Sequence, residues 1–295
     1  MAKERRELNG KVVAITGGAR GIGKATAVAL TRRGCRIAIG DLDQALAEQT
    51  AQSLGGGAIA LSLDVTERAS FAEFLDETER QLGPLDVLIN NAGIMPLGRF
   101  AEEDDATARR MIDINLHGVI FGTKLALERM EPRNSGHIVN IASQAGKGGF
   151  PGGATYCATK HAVVGLCEAV RAELDGTGIE VSCVMPAIVN TELATGLKEA
   201  RGVKNLEPEE VAEAIVEALE TARFDVWVPR STQYIATVMN LVPRRGREAI
   251  ARMLKADKVL AEADSAARAT YEDRAAHSEP GLEPEEETVS AKSAD

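Results

Sequence analysis

Short runs of β-branched and other apolar residues alternate along the chain with longer segments whose apolar positions recur at helical spacing. The runs predict strands at 11–16 (KVVAIT), 36–40 (RIAIG), 58–63 (AIALSL), 85–90 (LDVLIN), 137–142 (HIVNIA), 179–185 (IEVSCVM) and 225–228 (DVWV). The segments between them predict helices near 22–33, 43–54, 67–82, 104–130, 154–175 and 207–220. In the third helix Phe71, Phe74, Leu75 and Leu82 share a face, with Thr66 placed as N-cap and Gly83 as the stop. Seven strands alternating with six helices give an α/β fold, a single doubly wound parallel sheet with helices on both faces.

Two segments fall outside the alternation. Residues 231–263 read as a helical extension of one domain spanning 1–263, with an apolar stretch from Tyr234 to Val242, a break at Pro243, and then a run to Lys258 that carries six bases and two acids. Residues 264–295 hold nine acids and three bases and have few large apolar side chains, so they read as an acidic, disordered tail, with disorder expected beyond about residue 275.

Charge narrows the class of partner. With 34 Lys plus Arg against 44 Asp plus Glu, the formal net charge is −10, which argues against a nucleic-acid binder, whose cations must neutralise phosphates. No apolar run approaches the roughly 18 to 20 residues of a membrane-spanning helix. The start, MAKERRELNG, lacks a signal-peptide core, so a cytoplasmic setting is expected. Cys35, Cys157, Cys167 and Cys183 have no C-x-x-C spacing and read as reduced, buried thiols. His117, His137, His161 and His277 lack metal-ligand spacing, and no G-x-S-x-G elbow is present, so neither metal-assisted nor serine hydrolysis is indicated.

Directly after the first predicted strand stands Thr16-Gly17-Gly18-Ala19-Arg20-Gly21-Ile22-Gly23, opening a helix. Glycines there permit a sharp turn and let backbone N–H groups approach a pyrophosphate at the helix N-terminus, where the macrodipole favours negative charge. Gly17, Arg20, Gly21, Ile22 and Gly23 are therefore candidate dinucleotide contacts, although the spacing is T-G-x-x-x-G-x-G and not G-x-G-x-x-G. Asp41, ending the second strand, stands where an acid can accept hydrogen bonds from ribose hydroxyls; a helix N-cap is the alternative, for which Asp43 is better placed. Asp64 and Val65 follow the third strand, where an adenine ring would lie, and Asn91, Ala92 and Gly93 follow the fourth. Ordinary strand-end turn chemistry is the competing reading for both.

Tyr156 and Lys160 lie four apart on one face of a predicted helix. A phenol with a pKa near 10 is a poor base at neutral pH, and each unit of depression needs about 1.4 kcal/mol, which a nearby ammonium can supply. Such a pair is equally at home facing solvent. Ser143 lies just past the fifth strand, and Asn115 sits between Ile114 and Leu116, where its amide asks for a partner or is bonded for structure alone.

Together these residues resemble the short-chain dehydrogenase/reductase family. TGGARGIG, the acid in IGDLD, the DV after the third strand, NNAG, Asn115, Ser143 and YCATK occur in that family's order and approximate spacing, over about residues 8–228. The resemblance implies a Rossmann-type fold and a nicotinamide cofactor. It makes Tyr156 the general acid/base, with Lys160 lowering its pKa and binding the nicotinamide ribose. It also has Ser143 hydrogen-bond the substrate oxygen and Asn115 hold a water in a proton relay. A hydride then passes between an alcohol carbon and C4 of the nicotinamide. Two departures stand out. Where the family usually has Pro-Gly before a cofactor-contacting threonine, this chain has Pro186-Ala187-Ile188-Val189-Asn190-Thr191, so Pro186, Val189 and Thr191 are the candidates. In place of the family's frequent Gly-Gly ending comes the 231–263 extension, similar to retinol- and steroid-dehydrogenase-like members.

A carboxylate at Asp41 opposes the 2′-phosphate of NADP and favours NAD, with Arg20 as the counter-argument for NADP. Ile94, Met95, Leu97, Phe150, Ile188, Val189 and Leu193 lie in the segments expected around the substrate and favour an apolar secondary alcohol or ketone. An epimerase or dehydratase on a related fold and a non-catalytic dinucleotide sensor are the competing functions. A homo-oligomer is expected. The basic, partly apolar 231–258 segment suits a subunit or membrane-surface contact, which helix packing on the body explains equally well and overall acidity opposes.

Overall fold

The first strand, β1 (Val12–Thr16), is buried at every position, as a strand must be when helices cover both faces of a parallel sheet. Around it pair β2 (Arg36–Asp41), β3 (Ile59–Ser62), β4 (Val87–Asn90), β5 (Gly136–Ile141), β6 (Ile179–Pro186) and β7 (Asp225–Val228). All pairs are parallel, in the order β3-β2-β1-β4-β5-β6-β7. Ile15 is flanked by Ile39 on one side and Ile89 on the other. The strand order reverses between β1 and β4, so the loops leaving their carboxyl ends flank the crevice in which such sheets bind ligands. The computed structural model describes residues 5–197, 205–253 and 258–277.

The helices are α1 (Gly21–Thr31), α2 (Gln44–Leu54), α3 (Arg68–Leu82), α4 (Asp105–Ile112), α5 (Gly118–Met130), α6 (Ala154–Glu173), α7 (Pro208–Thr221), α8 (Ser231–Leu241), α9 (Arg244–Met253) and α10 (Ser265–His277). Side chains of β1 alternate between two layers. Val13 and Ile15 pack with Leu30 of α1 and Ile215 and Leu219 of α7. Val12 and Ala14 pack with Phe71, Phe74 and Leu75 of α3 and Leu125 of α5. Each large side chain so buried contributes about 1.5–3 kcal/mol. Val163, Val164 and Cys167 of α6 cover Val181, Cys183 and Met185 of β6. All four cysteines are buried and unpaired.

Asp43 caps α2 by accepting the Leu46 N–H at 3.1 Å, as its position in the sequence indicates. Three local features depart from the pattern. Glu67, not Thr66, occupies the N-cap position of α3, because the Thr66 hydroxyl donates to Asp64 Oδ1 at 2.7 Å. The helix expected over 104–130 is broken by a π-turn at Asp113–His117, which turns the fully buried Asn115 inward. π-turns inside helices are frequent at functional sites. Within the stretch read as an acidic tail, residues 265–277 form α10, held by burial of Arg268, Tyr271 and Ala275; residues 278–295 lie outside those described. On α8, Tyr234, Ile235, Val238 and Leu241 are exposed. Among the described residues no helix is long and apolar enough to cross a membrane.

Candidate active site

The loops after β1 and β4 are locked together by main-chain groups. Thr16 Oγ1 accepts the N–H groups of Asn91 and Ala92, each at 3.0 Å, and Asn91 Nδ2 donates to the carbonyls of Thr16 and Gly17, each at 2.9 Å. This closeness is what the glycines provide. A Cβ at Gly17, whose φ is +62°, would lie 2.9 Å from Ala92 Cα, and one at Gly23 would lie 2.3 Å from Gly17 O and 2.7 Å from Asn91 Nδ2. Gly21 opens α1 with φ +53° and faces Thr191 of the loop after β6. The first turn of α1 has no side-chain cap and no acid, so its free N–H groups and positive dipole end form a cradle suited to a phosphate anion.

Asp41 accepts the Ala19 N–H at 3.0 Å and the Asp43 N–H at 3.1 Å. Burial pushes its carboxyl above the ordinary value, against the pull of those two hydrogen bonds. Arg20 is engaged by Asp43 at 2.5 Å and Glu192 at 3.2 Å. Asp64 Oδ1 accepts both the N–H and the hydroxyl of Thr66, at 2.9 and 2.7 Å.

At the other end, β5 delivers Ser143, whose Oγ accepts the Ala145 N–H at 3.1 Å and which lines the same cavity as Tyr156. Lys160 Nζ donates to Ile141 O at 2.9 Å and lies 5.7 Å from the centre of the Tyr156 ring. The resemblance implies a phenol made more acidic by Lys160. In the protein alone, burial dominates: it pushes Tyr156 above the usual phenol range, with Ser143 pulling the other way and Tyr271 and Cys157 adding to the rise, and it pushes Lys160 down to about 8. At neutral pH Tyr156 therefore carries a transferable proton beside a largely protonated ammonium. Asn115 spends its amide on Ile94, accepting its N–H and donating to its carbonyl, both at 2.8 Å, and on Thr159 Oγ1 at 3.3 Å. A Cβ at Gly93 would sit 3.1 Å from Asn115 Oδ1 and 3.7 Å from Lys160 Nζ.

These groups surround one cavity of about 1890 Å³. Every residue assigned from the sequence lines it except Gly23 and Asn115, which stand behind the wall. Ile94, Met95, Phe150, Ile188, Val189 and Leu193 line it as expected, whereas Leu97 packs into the apolar cluster around Tyr156 without reaching the cavity. Sequence reasoning missed Val259, Leu260, Tyr271 and Arg274, which also line it. The signal available was Tyr271, the single aromatic residue after Tyr234, flanked at helical spacing by Arg268 and Arg274.

A seven-stranded parallel sheet with a phosphate cradle at its switch point is the architecture of dinucleotide-binding α/β proteins. The family pattern described as short chain dehydrogenase matches residues 11–202, and the chain belongs to that family. It is an oxidoreductase of the hydride-transferring kind. It is 41% identical over 187 residues to 2-(S)-hydroxypropyl-CoM dehydrogenase 3 of Xanthobacter autotrophicus, covering 62% of this chain and 73% of that one. It is 34% identical to 17-beta-hydroxysteroid dehydrogenase 13 of Mus musculus, covering 77% and 76%. A short-chain dehydrogenase/reductase from Burkholderia phymatum, solved in complex with NAD, superposes with a TM-score of 0.74 at 26% identity over 80% of this chain and 94% of that one.

Proposed function

We propose that the chain is an NAD-dependent dehydrogenase of apolar secondary alcohols, and in reverse a reductase of the corresponding ketones. The observation that carries this reading is Tyr156, backed by Lys160 and lining, with Ser143, the same cavity as the glycine cradle. The relatives named above are dehydrogenases of 2-(S)-hydroxypropyl-CoM and of 17-beta-hydroxysteroids. A bound nicotinamide cofactor supplies or accepts the hydride, chemistry no side chain provides. The cradle of Gly17, Gly21 and Ile22 would hold its phosphates and Asp41 its adenosine ribose. Asp64 and Val65 would flank the adenine; Gly93, Lys160, Pro186, Val189 and Thr191 would hold the nicotinamide end.

Tyr156 gives its proton to the carbonyl oxygen during reduction and takes it back from the alcohol during oxidation. Ser143 orients that oxygen. Lys160, fixed on Ile141, places a positive charge beside the phenol and so favours the phenolate that oxidation requires. Asn115 acts as a positioning residue: its amide is spent on Ile94 and Thr159, so its part is to fix the backbone of Ile94 beside the cavity.

The preference for NAD rests on charge. A 2′-phosphate about 4 Å from Asp41 costs about 4 kcal/mol per pair of unit charges at an effective dielectric near 20, an upper-end figure that solvent reduces. Arg20, the cation that could offset this, is already paired with Asp43 and Glu192. The test is turnover of secondary alcohols of increasing chain length with NAD and with NADP. Specificity constants should rise with chain length and favour NAD, and Asp41→Ala should shift the NAD:NADP ratio at least about tenfold toward NADP. A native preference for NADP, or no rise with chain length, overturns the corresponding part.

A further inference from the structure

The C-terminal segment forms a wall of the cavity and brings Tyr271 close enough to Tyr156 to push the pKa of its phenol upward. Val259 and Leu260 are buried in the apolar cluster that contains Tyr156, Met95 and Met111. The body is shaped to receive this segment. A Cβ at Gly152, where φ is +86°, would lie 2.9 Å from Ala261 N, and one at Gly153 would lie 2.8 Å from Leu260 Cδ1. At Gly196, with φ +73°, a Cβ would lie 2.8 Å from Asp264 O. Side chains at these three places would push the segment off.

Arg268 of α10 is 1% exposed. Its guanidinium donates to Met95 O at 2.7 Å, Leu193 O at 3.0 Å and Thr195 O at 2.9 Å, and to Glu272 at 2.7 Å. It thereby ties the loop after β4 to the loop after β6. One turn on, the Tyr271 hydroxyl accepts the Met95 N–H at 2.7 Å and lines the cavity. A phenol is both acceptor and donor. Here the accepting side is used by the backbone, and none of the described residues accepts the proton.

We propose that Tyr271 is a specificity-determining residue whose hydroxyl donates to a second oxygen of the substrate, distinct from the reacting one, so that the cavity selects apolar secondary alcohols bearing an ester, ether or carbonyl acceptor over plain ones. The proposal rests on the dehydrogenase reading and narrows its substrate class. The physical basis is asymmetry: a substrate without the acceptor leaves a buried donor unpaired, and a site built to hydrogen-bond an oxygen rejects the analogue that lacks it.

The experiment is equilibrium binding to the full chain loaded with NADH, since an alcohol cannot react with the reduced cofactor. The probes are secondary hydroxy esters with the ester carbonyl at increasing separation from the carbinol, each paired with the plain secondary alcohol of equal length; ethyl 3-hydroxybutyrate and 2-heptanol form the shortest pair. The unmodified chain should bind the best ester about five- to tenfold more tightly than its plain partner, and Tyr271→Phe should abolish that preference. Arg268→Met, which loosens the same loops but keeps the phenol, should weaken both members of each pair alike. If Tyr271→Phe also weakens both alike, if its effect falls on NADH affinity, or if the unmodified chain shows no preference for any ester, the proposal is overturned. Turnover of the same alcohols with NAD by the unmodified chain is recorded separately. Its absence counts against the dehydrogenase reading, while the binding ratio still decides the role of Tyr271.

Discussion

At the cofactor end of the cavity, the glycine loop and the segment after β4 meet through main-chain groups and the short side chains of Thr16 and Asn91. At the substrate end, Met95 and the Leu193–Thr195 stretch are joined by long side chains from α10, Arg268 and Tyr271. The first arrangement is close-packed because glycine allows backbones to touch, and it suits a ligand whose phosphates and ribose never vary. The second can be rewritten by changing a few side chains on one helix. That is where a family sharing one cofactor chemistry can vary its substrate.

The comparison can be broken most severely at Gly23. A methyl group there meets Gly17 O and Asn91 Nδ2, so Gly23→Ala should displace the loop and weaken NADH binding by about a hundredfold, at a stability cost of about 1–3 kcal/mol. Fluorescence titration of NADH checks it, and a change below tenfold means that the close approach does not shape the cradle.

A smaller effect is expected from Arg268→Met. One buried and two part-buried carbonyls lose their donor, costing about 1–3 kcal/mol of stability, and the loosened loops should raise substrate KM about tenfold, with a lesser change in NADH affinity. A lower melting temperature with unchanged substrate KM would reduce α10 to a purely structural strap.

The smallest effect concerns pH and sharpens the link between the two ends. Lys160 has its pKa lowered by burial to about 8, so its charge is present below that value and lost above it. Tyr156, pushed upward, keeps its proton throughout. Ketone reduction should therefore hold through neutral pH and decline a few-fold above about 8. A decline deferred to the ordinary lysine value of 10.5 contradicts this assignment.

How much was legible in the sequence follows the same division. The seven strands, the glycine cradle, Asp41 and the Tyr156–Lys160 pair are written in local spacing, because a helix N-terminus and an i, i+4 pair each need their residues close in sequence. The π-turn was not legible, since Asp113–His117 has no helix breaker and departs from the α-helix through Asn115 and Ile94, 21 residues apart. Nor was α10. Its composition is that of a solvated tail, and the bonds that hold it reach from Arg268 and Tyr271 to Met95, across 173 and 176 residues.

The central claim is that hydride transfer in this cavity depends on the proton held by Tyr156. It is tested most directly by following deuterium from a carbinol-labelled secondary alcohol into the reduced nicotinamide, by mass, in the unmodified chain and in Tyr156→Phe. The unmodified chain should deliver the label to NAD. Tyr156→Phe should slow delivery by about a thousandfold, with a far smaller loss of NADH binding, because the phenol's removal takes away the proton and leaves the glycine cradle in place. Label transfer by Tyr156→Phe at close to the unmodified rate would contradict the account.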